Sequence, residues 1–451
     1  MSPRSRTRRS AWAATAGARA PYDRLAGSLA RGANDANGID VAFHACVRPT
    51  PELVPPAGSE FSFTEGGPLF RLEGRLGLLP RHHDELPLRL IVIAWLVTWL
   101  PLVLLAFPGY VRTSHWDPLL LRSEPHLRLL GALSLFLWAE CLLEQRVRDV
   151  TRHLKHTYAI PRENVSVWQR SLERHAEIRD AWFPEAALLG SVYFLSFLGY
   201  LGDLPPWALR WLMPTLHSAG RHWELATQVT WWYLLVSQPF TIFLFIRWIT
   251  RWLLFTQLMR RLAQLSPRVQ PSHADAAGGL AFLAMPLLAL RVFSAGAALT
   301  LTSVWQDELA SSQAKPAIFA NDILVFVVAS LLFCLLPYLP FILPMLRAKE
   351  RALLGYSALM NSYVTAFDKR WLDTTNEHAD DLLGNDDFSG LADLGTSFRV
   401  AAEMHILIAG ASELKAYGIT TLVPFLFLIP VNADSTGELV RRVFMQVIGG
   451  A

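Results

Sequence analysis

Two charged residues sit where charge is expensive. Arg291 falls near the middle of the apolar stretch 280–305, and Glu140 lies inside a second one, 129–143, with Glu144 a turn later. A guanidinium at the centre of a bilayer costs at least ~2.5 kcal/mol unless it is paired or wet. Glu140 is the carboxylate best placed to pair with it. The pattern suits either a charged site lining a watery path or binding an anion, or a structural ion pair. It also suits an Arg291 at the interface because its helix begins nearby.

His273 and Asp275 flank one residue in PSHADAAGG, followed by the pair Gly278 and Gly279. Glycines let a loop fold tightly against the start of a helix. Such a loop can form a backbone nest for an anion, and a His-x-Asp pair can join a metal site. No third ligand is close in sequence, so the plainer expectation is that His273 and Asp275 tie the loop down. A third cluster is acidic: Glu377, Asp380, Asp381, Asp386, Asp387 and Asp393, together with Gly384, Gly390 and Gly395. The calcium-loop pattern is absent. The economical expectation is that Asp386 and Asp393 pair with arginines and clamp this segment to the membrane helices.

Other chemistry is missing from the motifs. No Gly-rich phosphate loop, GxSxG elbow or HExxH occurs, and no cofactor is expected. Cys46, Cys141 and Cys334 form no CxxC pair and read as inert thiols. His82-His83-Asp84 reads as a hydrated patch, and Met404 and His405 as packing against Met360 and Phe367. A net charge of +3 without a basic stripe argues against nucleic acid.

The elements that must position these residues are membrane helices. The chain is 52% hydrophobic and 18% charged, against about 25% charged in soluble domains. The stretch 225–262 carries no charge up to Ile246, and roughly 20 apolar residues cross a bilayer. Trp231, Trp232 and Tyr233 near one end, and Trp248 and Trp252 at the other, read as interfacial girdles, with Arg247, Arg251, Arg260 and Arg261 as a basic flank. Further spans are predicted at 90–107, ended by Pro108-Gly109, and at 129–143, 184–201, 280–305 and 323–346, the last distorted by Pro337, Pro340 and Pro344. The second span runs on as a stripe of Val147, Val150, Leu154 and Tyr158. Val165, Trp168, Leu172 and Ile178 form another. A long amphipathic helix follows from Arg347 through Tyr356, Met360, Tyr363, Phe367 and Trp371, then a helix over about 397–415. The segment 419–431 is about half a typical span, and Ser435 caps a last helix.

The fold class expected is therefore all-α: a polytopic membrane helical bundle of six or seven segments with a cytoplasmic helical module. Residues 1–85 read as largely disordered, with 61–79 lying against the membrane or the bundle, and the first twenty as a cytoplasmic tail or an over-long start. The bundle occupies 86–346 with a helical loop at 144–182, the module 347–417, and a short hydrophobic segment plus amphipathic helix 418–451. Arginines crowd the loops after the second, fourth and sixth spans, whereas the intervening loops carry Arg112 and Arg122, Arg210 and Arg221, and Lys315 alone. Cations gather on the cytoplasmic side, which places the amino terminus inside.

HADAAGGLAFL, 273–283, resembles the HPD-x-x-GGL-x-FL stretch of a family of uncharacterised bacterial membrane proteins. LLGNDDFSGLADLG, 382–395, resembles that family's LLG and SLADLG signature. Ala274 stands where the family has proline, and Gly390 where it tends to have serine. The resemblance implies an inner-membrane architecture over 90–451 and no activity.

On this reading the protein is a permeation protein for an ion or small solute, its path marked by Arg291, Glu140 and the proline-broken sixth span. The alternatives are a membrane-anchored scaffold or sensor binding a partner through its cytoplasmic helices, and a metal-dependent membrane enzyme using His273, Asp275 and the acidic loop. The expected partners are the lipid bilayer, an ion or solute, and a second copy docked through 347–371.

Overall fold

The computed structural model describes residues 87–157, 159–180, 182–201, 227–312, 315–372 and 386–428. The expectations for 1–85, for Glu377, Asp380 and Asp381, and for the helix capped by Ser435 lie outside the described residues.

Among the described residues every regular element is helical. Five are long and apolar enough to cross a membrane: Leu88–Thr113 (α1), Ser123–Leu154 (within α2, residues 123–156), Gln228–Gln264 (α5), Ala281–Leu309 (leading into α6) and Pro316–Leu335 (containing α7, Ala320–Leu335). The chain is a polytopic membrane protein. Between them lie α3 (Val165–Asp180) and α4 (Trp182–Leu201). The apolar part of α4, Ala186–Leu198, is shorter than the five, so the predicted third span is a helix of reduced apolar length. After α7 come α8 (Leu339–Trp371), α9 (Asp386–Glu403) and α10 (Ala411–Leu422).

The core is built around α6, Leu287–Ser312. Its run of Ala, Gly, Ser and Thr lets neighbours approach closely, the usual device where lipid removes the hydrophobic drive between helices. A Cβ on Gly296 would press on Phe136 of α2 at 2.8 Å. α2 lies antiparallel to α6 along its length: Ser123 bonds Asp307, Phe136 meets Phe293, and the ring of His153 meets Phe282. α5 runs parallel to α2, with Tyr233 beside Glu124 and Arg251 beside Glu140. Both therefore finish at the same end, where Arg146, Arg148, Arg152, Arg260 and Arg261 gather; this is called the basic end below. α10 and the 3₁₀ turn Val423–Leu428 after it lie alongside α6 in the same sense, from Tyr417 beside Ser294 to Phe427 beside Gln306. The half-length segment after 418 thus packs lengthwise within the bundle.

Two prolines set the local breaks, and α5 repairs both. Pro101 lacks the N–H that would bond Val97, so α1 steps at Trp99; Trp232 Nε1 donates to the freed Val97 carbonyl at 3.3 Å. Pro337 likewise frees the carbonyl of Phe333, which accepts Trp252 Nε1 at 3.1 Å. The predicted sixth span consequently stops at Leu335, and Pro340 begins a new helix in its first turn. The first span also differs: Pro108 and Gly109 lie inside α1, which continues to Thr113 and ends at Ser114 with φ 59°.

The predicted girdle at the end of α5 is interior packing. Trp248 and Trp252 are fully buried, Trp248 stacked on Phe293 with ring centres 3.8 Å apart. The stripe Val147, Val150 and Leu154 is buried as read, and Trp168 with Leu172 packs inward, whereas Val165 and Ile178 are exposed.

Candidate functional site

Glu140 is not the partner of Arg291. Arg247 Nη2 lies 3.2 Å from Glu140 Oε1, and Arg251 Nη1 donates a short hydrogen bond to the same oxygen. Both arginines are buried, at 4% and 7% exposure. They had read as a hydrated basic flank, but their spacing of four puts them on the face that also carries Trp248 and Trp252, against α2. The ring of Phe243 lies under Arg247, 5.9 Å from the guanidinium. Glu144 pairs with Arg148 of its own helix at 3.2 Å. Arg291 is half-buried one turn into α6, because Pro286 precedes that helix and does not sit within it, and among the described residues it forms no ion pair.

A second ionic cluster, unmarked in the sequence reading, lies at the opposite end of the same two helices. Glu124 Oε1 accepts the Tyr233 hydroxyl at 2.5 Å and faces Arg128 Nε at 3.3 Å; Asp307 accepts from Ser123 close by. Glu124 and Glu140 are sixteen residues apart, about 24 Å along a helix. The Glu124 cluster adjoins two π-helical turns, Leu127–Ala132 in α2 and Tyr233–Ser237 in α5. The usable sequence signal was a Glu and an Arg at a spacing of four in front of an apolar run.

At the basic end the 265–284 loop folds on itself. Asp275 Oδ1 accepts the N–H groups of Ala277 (3.0 Å) and Gly279 (2.9 Å), and Oδ2 that of Ala281 (3.1 Å). His273 Nδ1 is 2.8 Å from Oδ1. The nest proposed for an external anion is thus occupied by the protein's own carboxylate, which caps the 3₁₀ turn Ala281–Ala284. Burial by itself raises the Asp275 carboxyl, but the N–H groups of Gly279, Ala277 and Ala281, and then His273, hold it below the ordinary carboxylate range. That contribution is present above the unfolded carboxyl's pKa and fades as the pH falls through the lowered folded one. Ala276, Gly278 and Gly279 all have positive φ, at 53°, 66° and 84°. A Cβ on Gly278 would run into Val269 and lie 3.1 Å from Met404 Cε.

This loop joins the basic end together. Arg268 N–H donates to Ala159 after α2, Gln270 N–H to Gly278, and His405 N–H to Ala276. Lys349 of α8 donates to the Met404 carbonyl at 2.9 Å. Met404 therefore packs on the loop and not against Met360 and Phe367. Pinned in this way, 404–410 is non-helical, and the helix expected over 397–415 divides into α9 and α10. Beside the loop is a cleft of about 390 Å³, lined among others by His153, Thr157, Arg268, Gln270 and His273. No group of three or more metal-binding side chains occurs among the described residues.

Asp386 and Asp393 are exposed, and among the described residues neither forms an ion pair with an arginine of the bundle. The described part of the acidic segment lies in α9, and there Asp387 makes a bridge: Arg370 Nη1 lies 2.9 Å from Oδ2, to which Trp371 Nε1 also donates at 3.2 Å. Both partners belong to the α8–α9 pair. Gly390 sits under Tyr363, whose hydroxyl donates to the Asp387 carbonyl at 3.0 Å, and a Cβ there would run into that hydroxyl.

No family model matches the chain, and no curated protein or solved structure matches it either.

Proposed function

We propose that the protein is a non-catalytic membrane scaffold or sensor that presents the α8–α9 pair to a protein partner. The observation carrying this reading is the burial pattern of the pair. Beyond Ala348 no residue of α8 is buried, and none of α9 before Ala401. The unburied part of α8, 349–371, is about 34 Å long at 1.5 Å per residue. Two helices that touch each other mainly through Tyr363, Phe367, Trp371 and Phe388 leave much apolar surface uncovered among the described residues. Leu354 is 74% exposed and Leu359 53%. A helix pair without a core of its own draws its stability from what it packs on.

Supporting observations concern the bundle and its ends. Of the two charges that first suggested a path, Glu140 is paired with Arg247 and Arg251 and Arg291 sits apart from it, and Phe136, Phe245, Phe293 and Trp248 pack between the two ionic clusters. The concentration of arginines at the end that carries the pair favours a cytoplasmic location for it in the inner membrane. Of the two stretches that resemble a bacterial membrane family, one builds the loop at the basic end, and the described part of the other opens α9.

A photo-reactive residue placed at Leu354 or Leu359 in cells is expected to give one discrete protein adduct, and the same residue at Arg399 is expected to give less. A self-adduct would identify the partner as a second copy. Absence of any adduct from either leucine would contradict the scaffold reading. One observation favours permeation as a second reading: the ionic clusters at both ends of the α2–α5 seam, one flanked by two π-helical turns, which are frequent at functional sites. That reading requires protein-dependent flux.

A further inference from the structure

The cleft beside the 265–284 loop has a chemical character that the scaffold reading does not use. Three nitrogen-bearing side chains reach it from separate segments: His153 from α2, and Arg268 and His273 from the two limbs of the loop. Each is held at its base. Arg268 is fixed by its N–H bond to Ala159 at 2.8 Å, and the neighbouring limb by that of Gln270 to Gly278 at 2.9 Å. The ring of His153 rests against Phe282 with centres 4.5 Å apart. The ring of His273 lies against Gly279, and its Nδ1 faces Asp275, so Nε2 is the nitrogen turned away.

Among the described residues lining the cleft the one carboxylate, Asp275, does not oppose an anion strongly. Asp275 already accepts three backbone N–H bonds and faces His273, so its charge is met locally. Thr157 and Gln270 add neutral hydrogen-bonding groups. A guanidinium sharing one cleft with two imidazoles, a hydroxyl and a side-chain amide matches the several oxygens of a phosphate better than the two of a carboxylate. The position also fits: basic pockets between membrane helices, close to the headgroup level, are where phosphate-bearing lipids dock.

We infer that this cleft is a binding site for a phosphate group, carried either by a lipid headgroup or by a soluble phosphate ester. The site stands whether or not the α8–α9 pair has a protein partner. It also touches that pair's base, because the loop's Ala276 carbonyl holds His405.

The test uses the full chain in phosphatidylcholine nanodiscs. One arm titrates inorganic phosphate calorimetrically; the other adds phosphatidic acid to the disc and measures retained lipid by native mass spectrometry. Wild type should bind at least one probe, and Arg268→Gln and His153→Gln should each weaken that binding about tenfold with an unchanged melting temperature. Binding of phosphatidic acid alone identifies a lipid source, and binding of inorganic phosphate identifies a soluble one. If neither probe binds, or if both variants bind as wild type does, the inference is overturned. Because both side chains are exposed, their replacement leaves the packing of the bundle intact.

Discussion

Glu140→Ala is expected to destabilise the folded protein by about 3–5 kcal/mol, the usual loss when one partner of a buried ion pair is removed. The side chain faces Arg247 and Arg251 together. Its removal would leave two buried guanidiniums side by side, repelling each other in a medium that screens them poorly. Truncating Arg251 in the same background should recover part of the loss, and the coupling would be read from a double-mutant cycle. Arg291→Ala should be near neutral by the same measurement, since Arg291 is half-buried and makes no ion pair among the described residues. Thermal unfolding of the purified protein in detergent or nanodiscs measures all four. If Arg291→Ala proved as damaging as Glu140→Ala, the assignment of partners would be wrong.

Gly278→Ala should cost about 2–5 kcal/mol. A left-handed conformation at a non-glycine residue contributes about 1–2 of this, and overpacking contributes a further ~1–3. The φ of 66° supplies the first term, and the contacts awaiting a Cβ at Val269 and Met404 supply the second. The damage should spread beyond the loop, because the loop holds the ends of α2, α6 and α9 in register. Hydrogen exchange should report it as faster exchange at Arg268, Gln270 and His405, whose N–H groups bond across the junction. Exchange confined to Gly278 and its neighbours would show that the loop is not a junction. Gly279→Ala tests the same backbone requirement with open space: its Cβ would meet nothing closer than His273 at 3.8 Å, so it should cost only the conformational part.

What could be read from the sequence followed from one-dimensional patterns. The apolar runs, the stripe Val147, Val150 and Leu154, and the tied-down character of His273 and Asp275 depend on spacing along the chain, and the structure reproduces them. What was missed depends on rotation about helix axes and on partners distant in sequence. Arg247 and Arg251 looked like a hydrated flank because they follow an apolar run. Whether such a flank faces water or α2 is set by how α5 is turned against its neighbours. Gly390 and Gly395 read as loop residues, yet Gly390 is there so that α9 can lie against Tyr363. The better signal was the doublet Asp386 and Asp387, acids in a first helical turn, where the backbone dipole favours them. Pro337 was read as distorting the sixth span, but nothing local indicated that Trp252, 81 residues away in sequence from the carbonyl it reaches, would bond that carbonyl.

The central claim is that this bundle is closed and acts from its basic end, and ion and solute flux through proteoliposomes tests it most directly. Liposomes containing the wild-type chain are expected to leak no faster than empty ones, and Arg291→Ala liposomes no differently. Flux that depends on the protein and disappears with Glu124→Gln or Glu140→Gln would contradict the claim and establish the α2–α5 seam as a path.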